Sequence, residues 1–466
     1  GYMEMIKSQK IRLQKILYGT FFIFVLPLYF IFLANRVSLP FKAPKSSYGG
    51  SVTAIIGLGI IIRGMYELKV KGKGLPMNAF PPEELVEDGI YGIFPHPIYF
   101  GFCIMCIGIS IFYKSVAGLY LVTPVIIGGC MALVLGYENL YLKKHFGKVP
   151  HSILGISNIS RPFAKIFRLN KLWNILLKWA ENRANSWKSW RFGKLRIINH
   201  FLYSGLAGGI GSGIITLVLG RKYSIYIVIL MFIGLIGAAI IGQILVGSTN
   251  RLSRPFGYFG SLFGVSAAGL IISIFYPEIF KVLGAFAIAS PVAQAIGRIR
   301  CLIQGCCHGD NTEEGHGIVV NNPHSRVCAL SRKCGVPIYP TPLYSIIGNV
   351  ILEIILLFYW ISGVKYTIVI GLYLIGAGIT RFIEEAYRGE PLTKIIGNLR
   401  IYQWFSVGMY FFGLIVMIFP SGITSIPETL DYGTAFVTGV IFFLISSFAM
   451  SMDFPDSTRR YSRLSG

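Results

Sequence analysis

Two stretches decide how this chain is read: GRIRCLIQGCCHGD at residues 297–310 and RFIEEAYRGEP at residues 381–391. Each lies where an apolar run of membrane-spanning length meets polar sequence. A guanidinium at that depth is costly unless it has a partner or an anion, so an arginine there points to a site by default. Arg298, Arg300, Arg381 and Arg388 share these stretches with Glu384, Glu385 and a Cys-Cys-His run. The combination fits a grip on a lipid phosphate at the membrane surface. The alternative is that the arginines only snorkel to the headgroups and set topology.

Outward from these stretches the chain is apolar. Of its 466 residues, 54% are hydrophobic and 14% charged, which excludes an ordinary soluble protein. Runs of about twenty apolar residues recur, the length a helix needs to cross a bilayer core. They fall at about 16–34, 48–66, 97–113, 116–138, 200–219, 224–246, 257–276, 279–296, 341–361, 366–385, 402–419 and 432–452. The expected fold is therefore an all-α polytopic membrane protein of about twelve spans. The first run follows Lys7, Lys10, Arg12 and Lys15 with no small-residue cleavage site after it, and reads as an uncleaved span.

The formal charge of +23 is large, but the basic residues sit between apolar spans. Anionic headgroups and the positive-inside rule account for them, and nucleic acid is not an expected partner. Residues 161–196 carry ten Lys or Arg against the single acid Glu181, together with Trp173, Trp179, Trp187 and Trp190. Such a stretch reads either as an interfacial amphipathic helix on anionic lipid headgroups or as a solvated linker that fixes topology. Either way it divides the chain into a four-span module (1–150), a basic linker (151–199), a second membrane module (200–452) and a basic tail (453–466). Alternation through twelve spans puts both termini and the basic loops, with Arg251, Arg254, Arg459, Arg460 and Arg463, on one face. The charge bias makes that face cytoplasmic, in a bacterial-type inner membrane.

The eight cysteines do not form an evident disulfide framework. Cys103, Cys106 and Cys130 read as packing residues in apolar runs. Cys301, Cys306, Cys307, Cys328 and Cys334 share one polar segment, where an odd number leaves at least one thiol unpaired and favours a reducing face. Cys301, Cys306, Cys307 and His308 could hold zinc, but C-x4-C-C-H is not a standard finger spacing, and no metal is expected.

The first module holds an unusual loop, GKGLPMNAFPPEELVEDGIYGIFPHPIYFG (72–101), and its last span ends in YENLYLKKHFG (137–147). The ordered set PPEELVEDG-x-Y, HPIY-x-G, then Glu138 before Phe146-Gly147 resembles the isoprenylcysteine carboxyl methyltransferases and phospholipid N-methyltransferases, over about 48–147. That resemblance implies S-adenosylmethionine as cofactor. Tyr91, His96, Tyr99 and Glu138 are the groups that helix ends would offer it, since methyl transfer asks mainly for in-line positioning. One departure is Pro95, where the family has arginine or another polar residue before the His-Pro pair.

Residues 200–420 resemble prolipoprotein diacylglyceryl transferase, and more closely its cysteine-rich relatives. The pieces run in order: FGYFGSLFG (256–264), GRIRCLIQGCCHG (297–309), YPTPLYS (339–345) and GLYLIGAGITRFIEEAYRGEP (371–391), with NLRIYQW (398–404) opening the next span. The resemblance implies transfer of a diacylglyceryl group from phosphatidylglycerol to a cysteine thiol, with release of glycerol phosphate. It assigns Arg298 to the family's GR arginine, and Arg381 and Glu385 to its RF-x-x-E motif, four apart on one helical face. Arg300 and Arg388 join them as phosphate contacts. The family's histidine position is Phe259, its asparagine and acid positions are Cys301 and Cys306, and its HP-x-Q-L-Y reads Tyr339 and Pro342. Glu385, His308 or a cysteine thiolate are then the candidates for the base.

These readings converge on a fused lipid-modifying transferase. It would move a diacylglyceryl group from a phosphatidylglycerol-like lipid to a lipid or thiol acceptor, beside a methyltransferase-like module. The alternatives are one live site with a degenerate scaffold, or a non-catalytic lipid-binding or flippase-like protein.

Overall fold

A computed structural model describes residues 13–74, 82–147, 169–246, 257–389, 394–427, 429–459 and 462–464. Each of the twelve expected spans is a helix. In the first unit they are α1 (Leu13–Arg36), α2 (Ser47–Lys71), α3 (Pro97–Phe112) and α4 (Gly118–Phe146). A further helix, α5 (Leu169–Ala184), precedes α6 (Phe201–Leu219), α7 (Ser224–Val246), α8 (Tyr258–Phe275) and α9 (Ile279–Gln304). The last four are α10 (Thr341–Ile361), α11 (Tyr366–Ala386), α12 (Ile401–Val416) and α13 (Tyr432–Ser451).

Among the described residues ten helices are long and apolar enough to cross a membrane, while α3 and α12 have 16 residues each. Sixteen residues rise only about 24 Å, short of a bilayer core of about 30 Å. Local signals set both lengths. Pro97 occupies the first position of α3, and Arg400 with Gln403 forms a capping box that starts α12.

The chain divides into two compact units, Gly1–Lys171 and Leu172–Gly466. In the first, α2 and α3 pack backbone to backbone. Gly50 and Gly57 on α2 and Gly101 and Gly108 on α3 each repeat at seven residues and are buried. A Cβ on Gly57 would stand 2.6 Å from the Gly101 carbonyl, so the pair tolerates no side chain. Small residues at that spacing let helices approach where lipid supplies no hydrophobic drive.

In the second unit α11 packs on α9, α10 and α12. α13 joins through His200, whose Nδ1 is 2.7 Å from Ser451 Oγ, and through Arg196, which donates twice to Asp453 at 2.8 and 2.7 Å. Leu464 N–H donates to the same carboxylate, so this part of the tail folds back onto the unit.

Residues 172–199 fall within the second unit. Leu177, Ala180 and Ala184 of α5 are buried with Leu302, Ile318, Val320, Val327, Ile338 and Leu343, while Trp187 stacks on His324 at 4.7 Å. The apolar face of α5 is thus spent on protein, while Lys178 and Arg183 stay exposed. A hairpin of Ser189–Phe192 and Leu195–Ile198 follows. Within the cysteine-rich segment Cys328 and Cys334 form a disulfide, and Cys301, Cys306 and Cys307 remain thiols. Arg161, Lys165, Arg168, Arg251, Arg254 and Arg460 lie outside the described residues.

Candidate functional site

In the second unit, helix spacing assembles a charged cluster. α11 carries Arg381, Glu384 and Glu385, Arg388 follows its end, and Arg298 reaches in from the last turns of α9. Arg381 pairs with Glu384 at 2.7 Å and with Glu385 at 3.5 Å. Arg388 pairs with Glu385 at 2.9 Å, and Arg298 with Glu384 at 3.4 Å. The expected Arg381–Glu385 contact is present, but Glu384 is the hub, touching Arg298, Arg381 and Arg388. The i,i+3 spacing of Arg381 and Glu384 carried that signal. All five side chains are nearly buried, so removing one strands the others in a medium of low polarity.

Phe259 lies in the same cluster. The Arg381 guanidinium sits 5.8 Å from the Phe259 ring centre and 5.6 Å from that of Tyr402, and the two rings stack at 5.1 Å. A cation over aromatic faces is held by the ring quadrupole, and a histidine is not needed to steady this arginine. Arg400 helps from outside by donating to the Arg388 carbonyl at 2.7 Å.

Arg298, Arg381 and Arg388 line one side of a cavity of about 630 Å³ whose other walls include Leu230, Leu235 and Leu262. Polar groups enter it from α8, α9 and α11: Gln294 donates to Tyr373 Oη at 3.1 Å, and Tyr258 Oη is 3.0 Å from the same oxygen. Pro291 within α9 removes one backbone donor from the adjoining turn. Arg300 also lines the cavity, but its guanidinium donates twice to the Met450 carbonyl, at 3.1 and 2.8 Å, and so serves as a tie to α13.

His308 is not brought to this cavity. It is buried in the loop beyond α9, with Nε2 2.7 Å from Ser331 Oγ and Nδ1 2.9 Å from the Gly309 carbonyl. Cys301, Cys306 and Cys307 do line the cavity, their sulfurs within 4.8 Å of one another. Of the possible zinc set, the three cysteines gather without His308. Contacts with the Cys301 and Cys306 thiols, and then the charges of Arg388 and Arg298, pull the Cys307 thiol well below its ordinary range against the effect of burial.

The first unit holds a smaller set. His96, ahead of α3, reaches Glu138 at 3.4 Å through Nδ1 and Asn139 at 3.0 Å through Nε2. Burial draws the imidazole down, but the bond and charge of Glu138 with the Asn139 contact more than offset it, and its pKa rises. Tyr99 sits one turn on, its ring 6.2 Å from that of His96. Tyr91 is packed with Leu68 and Val86, and burial followed by the charges of Glu138 and Glu67 raises its phenol pKa. Its hydroxyl lies 3.4 Å from the Gly64 carbonyl, a scaffold position.

Sequence reading missed Glu67. It is buried, accepts from Arg63 at 2.7 Å, and caps the Ile90 N–H at 2.9 Å. Gly89, at φ 60°, lets the loop close on that carboxylate. The Arg63–Glu67 spacing of four was the available signal.

Comparison with known proteins follows the same division. Residues 46–149 match the family described as "Phospholipid methyltransferase", and residues 219–419 match "Prolipoprotein diacylglyceryl transferase". The "Phosphatidylglycerol--prolipoprotein diacylglyceryl transferase 2" of Clostridium perfringens is 32% identical over 125 residues, 27% of this chain and 46% of that protein. The Clostridium tetani "Phosphatidylglycerol--prolipoprotein diacylglyceryl transferase" is 28% identical, covering 40% of this chain and 76% of its own length. For the protein of the same name from Polynucleobacter necessarius the values are 29%, 43% and 79%. The chain thus spans about half the length of the first of these relatives and about three quarters of the other two. α13 lies beyond the matched residues, yet it is tied into the unit that contains them. This chain joins a domain of the phospholipid methyltransferase family to a domain of the prolipoprotein diacylglyceryl transferase family, both families of transferases.

Proposed function

We propose that the second unit transfers a diacylglyceryl group from a phosphatidylglycerol-like lipid to an acceptor, and that the first is an S-adenosylmethionine-dependent methyltransferase. The observation that carries the first part is a charge imbalance. Among the five ion-paired side chains, the three guanidiniums of Arg298, Arg381 and Arg388 face two carboxylates, so this nearly buried set is net positive beside a cavity with apolar walls. A phosphodiester is an anion that planar guanidiniums hold well, and its acyl chains suit the apolar side. Charge-assisted bonds from planar guanidiniums would strengthen as the leaving glycerol phosphate gains charge. Relatives named for phosphatidylglycerol and prolipoprotein support the same donor and a thiol-bearing acceptor.

For the first unit the support is Glu138. One of its carboxylate oxygens is buried and has no hydrogen-bond partner among the described residues. An unmet buried acceptor is costly, and the amine of an amino-acid-bearing cofactor would satisfy it. When bound, S-adenosylmethionine supplies the electrophilic methyl group. Glu138 and His96 would hold and orient it, with Tyr99 one turn away.

Orientation belongs to the same proposal. The basic loops, the span count and a cytosolic cofactor favour both termini in the cytoplasm. A cysteine introduced near Lys178 and labelled from outside whole cells would reverse the assignment.

Lipid-extract mass spectrometry with and without the gene tests the function. Loss of a diacylglyceryl-bearing or methylated species supports it. A change confined to lipid distribution between leaflets favours a carrier instead.

A further inference from the structure

A nucleophile entering this cavity has no ordinary base to take its proton. Among the described residues that line it there is no histidine, aspartate or glutamate. Glu384 and Glu385 are engaged by the arginines, and His308 faces Ser331. The cavity does contain three thiols. Cys301 stands on the last turn of α9, and Gly305, in the left-handed region at φ 75°, donates to the Cys301 carbonyl at 2.9 Å and reverses the chain. Cys306 and Cys307 thereby fold back on Cys301. Cys307 itself adopts φ 60°, which a side chain with a Cβ rarely does outside sites that require it.

We propose that Cys301, Cys306 and Cys307 form a three-thiolate site for a soft divalent cation of the zinc class, with a fourth position open to the thiol of the acceptor. The role rests on the diacylglyceryl-transfer reading above; the metal site itself does not. Thiolates select such ions, and catalytic zinc is held by three protein ligands with one position left open. Zinc–sulfur bonds of about 2.3 Å at tetrahedral angles place sulfurs about 3.8 Å apart. The three sulfurs here lie within 4.8 Å, so at most a contraction of about 1 Å closes the site.

The step balances without an oxidant or reductant. The acceptor's S–H gives its proton to water as the sulfur binds the metal. The sulfur pair then forms a bond to the glyceryl carbon. The C–O bond to phosphate breaks, and its electron pair departs with glycerol phosphate, which the arginines hold.

The test uses the full chain, purified reduced in detergent from zinc-supplemented cells. Metal content should be about one zinc per chain, the stoichiometry of a single catalytic site. Exchange with Cd²⁺ should give a thiolate-to-metal charge-transfer band. Both should be lost in Cys301→Ser and Cys307→Ser, and X-ray absorption should show a fourth sulfur once an acceptor-like thiol such as N-acetylcysteine amide is added. Arg298→Lys should keep the metal while losing lipid turnover. Metal binding without turnover in the unmutated protein would therefore sink the transfer reading and leave the site standing. If the folded, reduced protein gives no charge-transfer band with Cd²⁺, the proposal fails, whether or not the serine variants fold. It fails equally if zinc survives Cys301→Ser, or if added thiol leaves the sulfur count unchanged.

Discussion

The two units keep charge inside an apolar fold in opposite ways. The second gathers five nearly buried charges, Arg298, Arg381, Arg388, Glu384 and Glu385, and leaves a positive surplus. The first gathers few, and leaves one carboxylate oxygen of Glu138 unmet among the described residues. The difference matches the chemistry proposed for each. A lipid phosphate arrives negative and leaves more so, which calls for fixed cations. A sulfonium cofactor brings its own positive charge and reactive carbon, and needs mainly an acceptor and a position.

The largest expected effect breaks the second unit. Arg381→Ala removes a guanidinium from two glutamates and two aromatic rings together, so both transfer and stability should suffer. Loss of such a contact costs about 2–4 kcal/mol of transition-state stabilisation, on the order of a hundredfold or more in glycerol phosphate release. Arg298→Lys keeps the charge but loses the planar fork, and should fall short of Arg381→Ala by less than its conservative look implies. Turnover equal to the unmutated protein in both variants would make these arginines topology signals only.

Next comes the first unit, where one contact is at stake instead of a network. Glu138→Gln should weaken S-adenosylmethionine binding by about ten- to a hundredfold, in line with about 1.5–3 kcal/mol for a bond to a charged group. Calorimetry reads this directly. Absence of binding in the unmutated protein would mark the unit as a scaffold.

Smaller effects sharpen the contrast. Phe259→Leu keeps an apolar side chain but removes one aromatic face from Arg381, and should cost about 0.5–2 kcal/mol, a several-fold loss of turnover. An unchanged rate would show that Tyr402 alone steadies the guanidinium. In the first unit the raised pKa of His96 gives a signed pH effect. Its stabilising contribution is complete below the ordinary imidazole value of 6.5 and fades as pH rises through the raised value. Hydrogen exchange in α2 and α3 should therefore quicken over that window, and His96→Gln should remove the dependence.

Sequence carried the spans well, because apolar length is a local property. It carried the arginines too, since their cost at a span end is visible residue by residue. It did not carry the partners of α5: Leu302, Ile318 and Val320 lie more than a hundred residues away, and a basic, Trp-rich helix reads the same whether it lies on lipid or on protein. The direction of His308 was not legible for a related reason: Cys307 before it adopts the left-handed region, and the imidazole turns to Ser331. Glu384 and Glu67 were legible as acids at helical spacing from arginines, but only packing shows that they are the hubs.

The central claim is that the second unit cleaves a phosphatidylglycerol-like lipid at its phosphate through the arginine cluster. Purified protein in phosphatidylglycerol vesicles, supplied with a cysteine-containing acceptor, should release glycerol phosphate and leave a diacylglyceryl thioether, with Arg298→Lys slowed on the order of a hundredfold. Release at the same rate in that variant, or no release by the unmutated protein with lipid still bound, would contradict it.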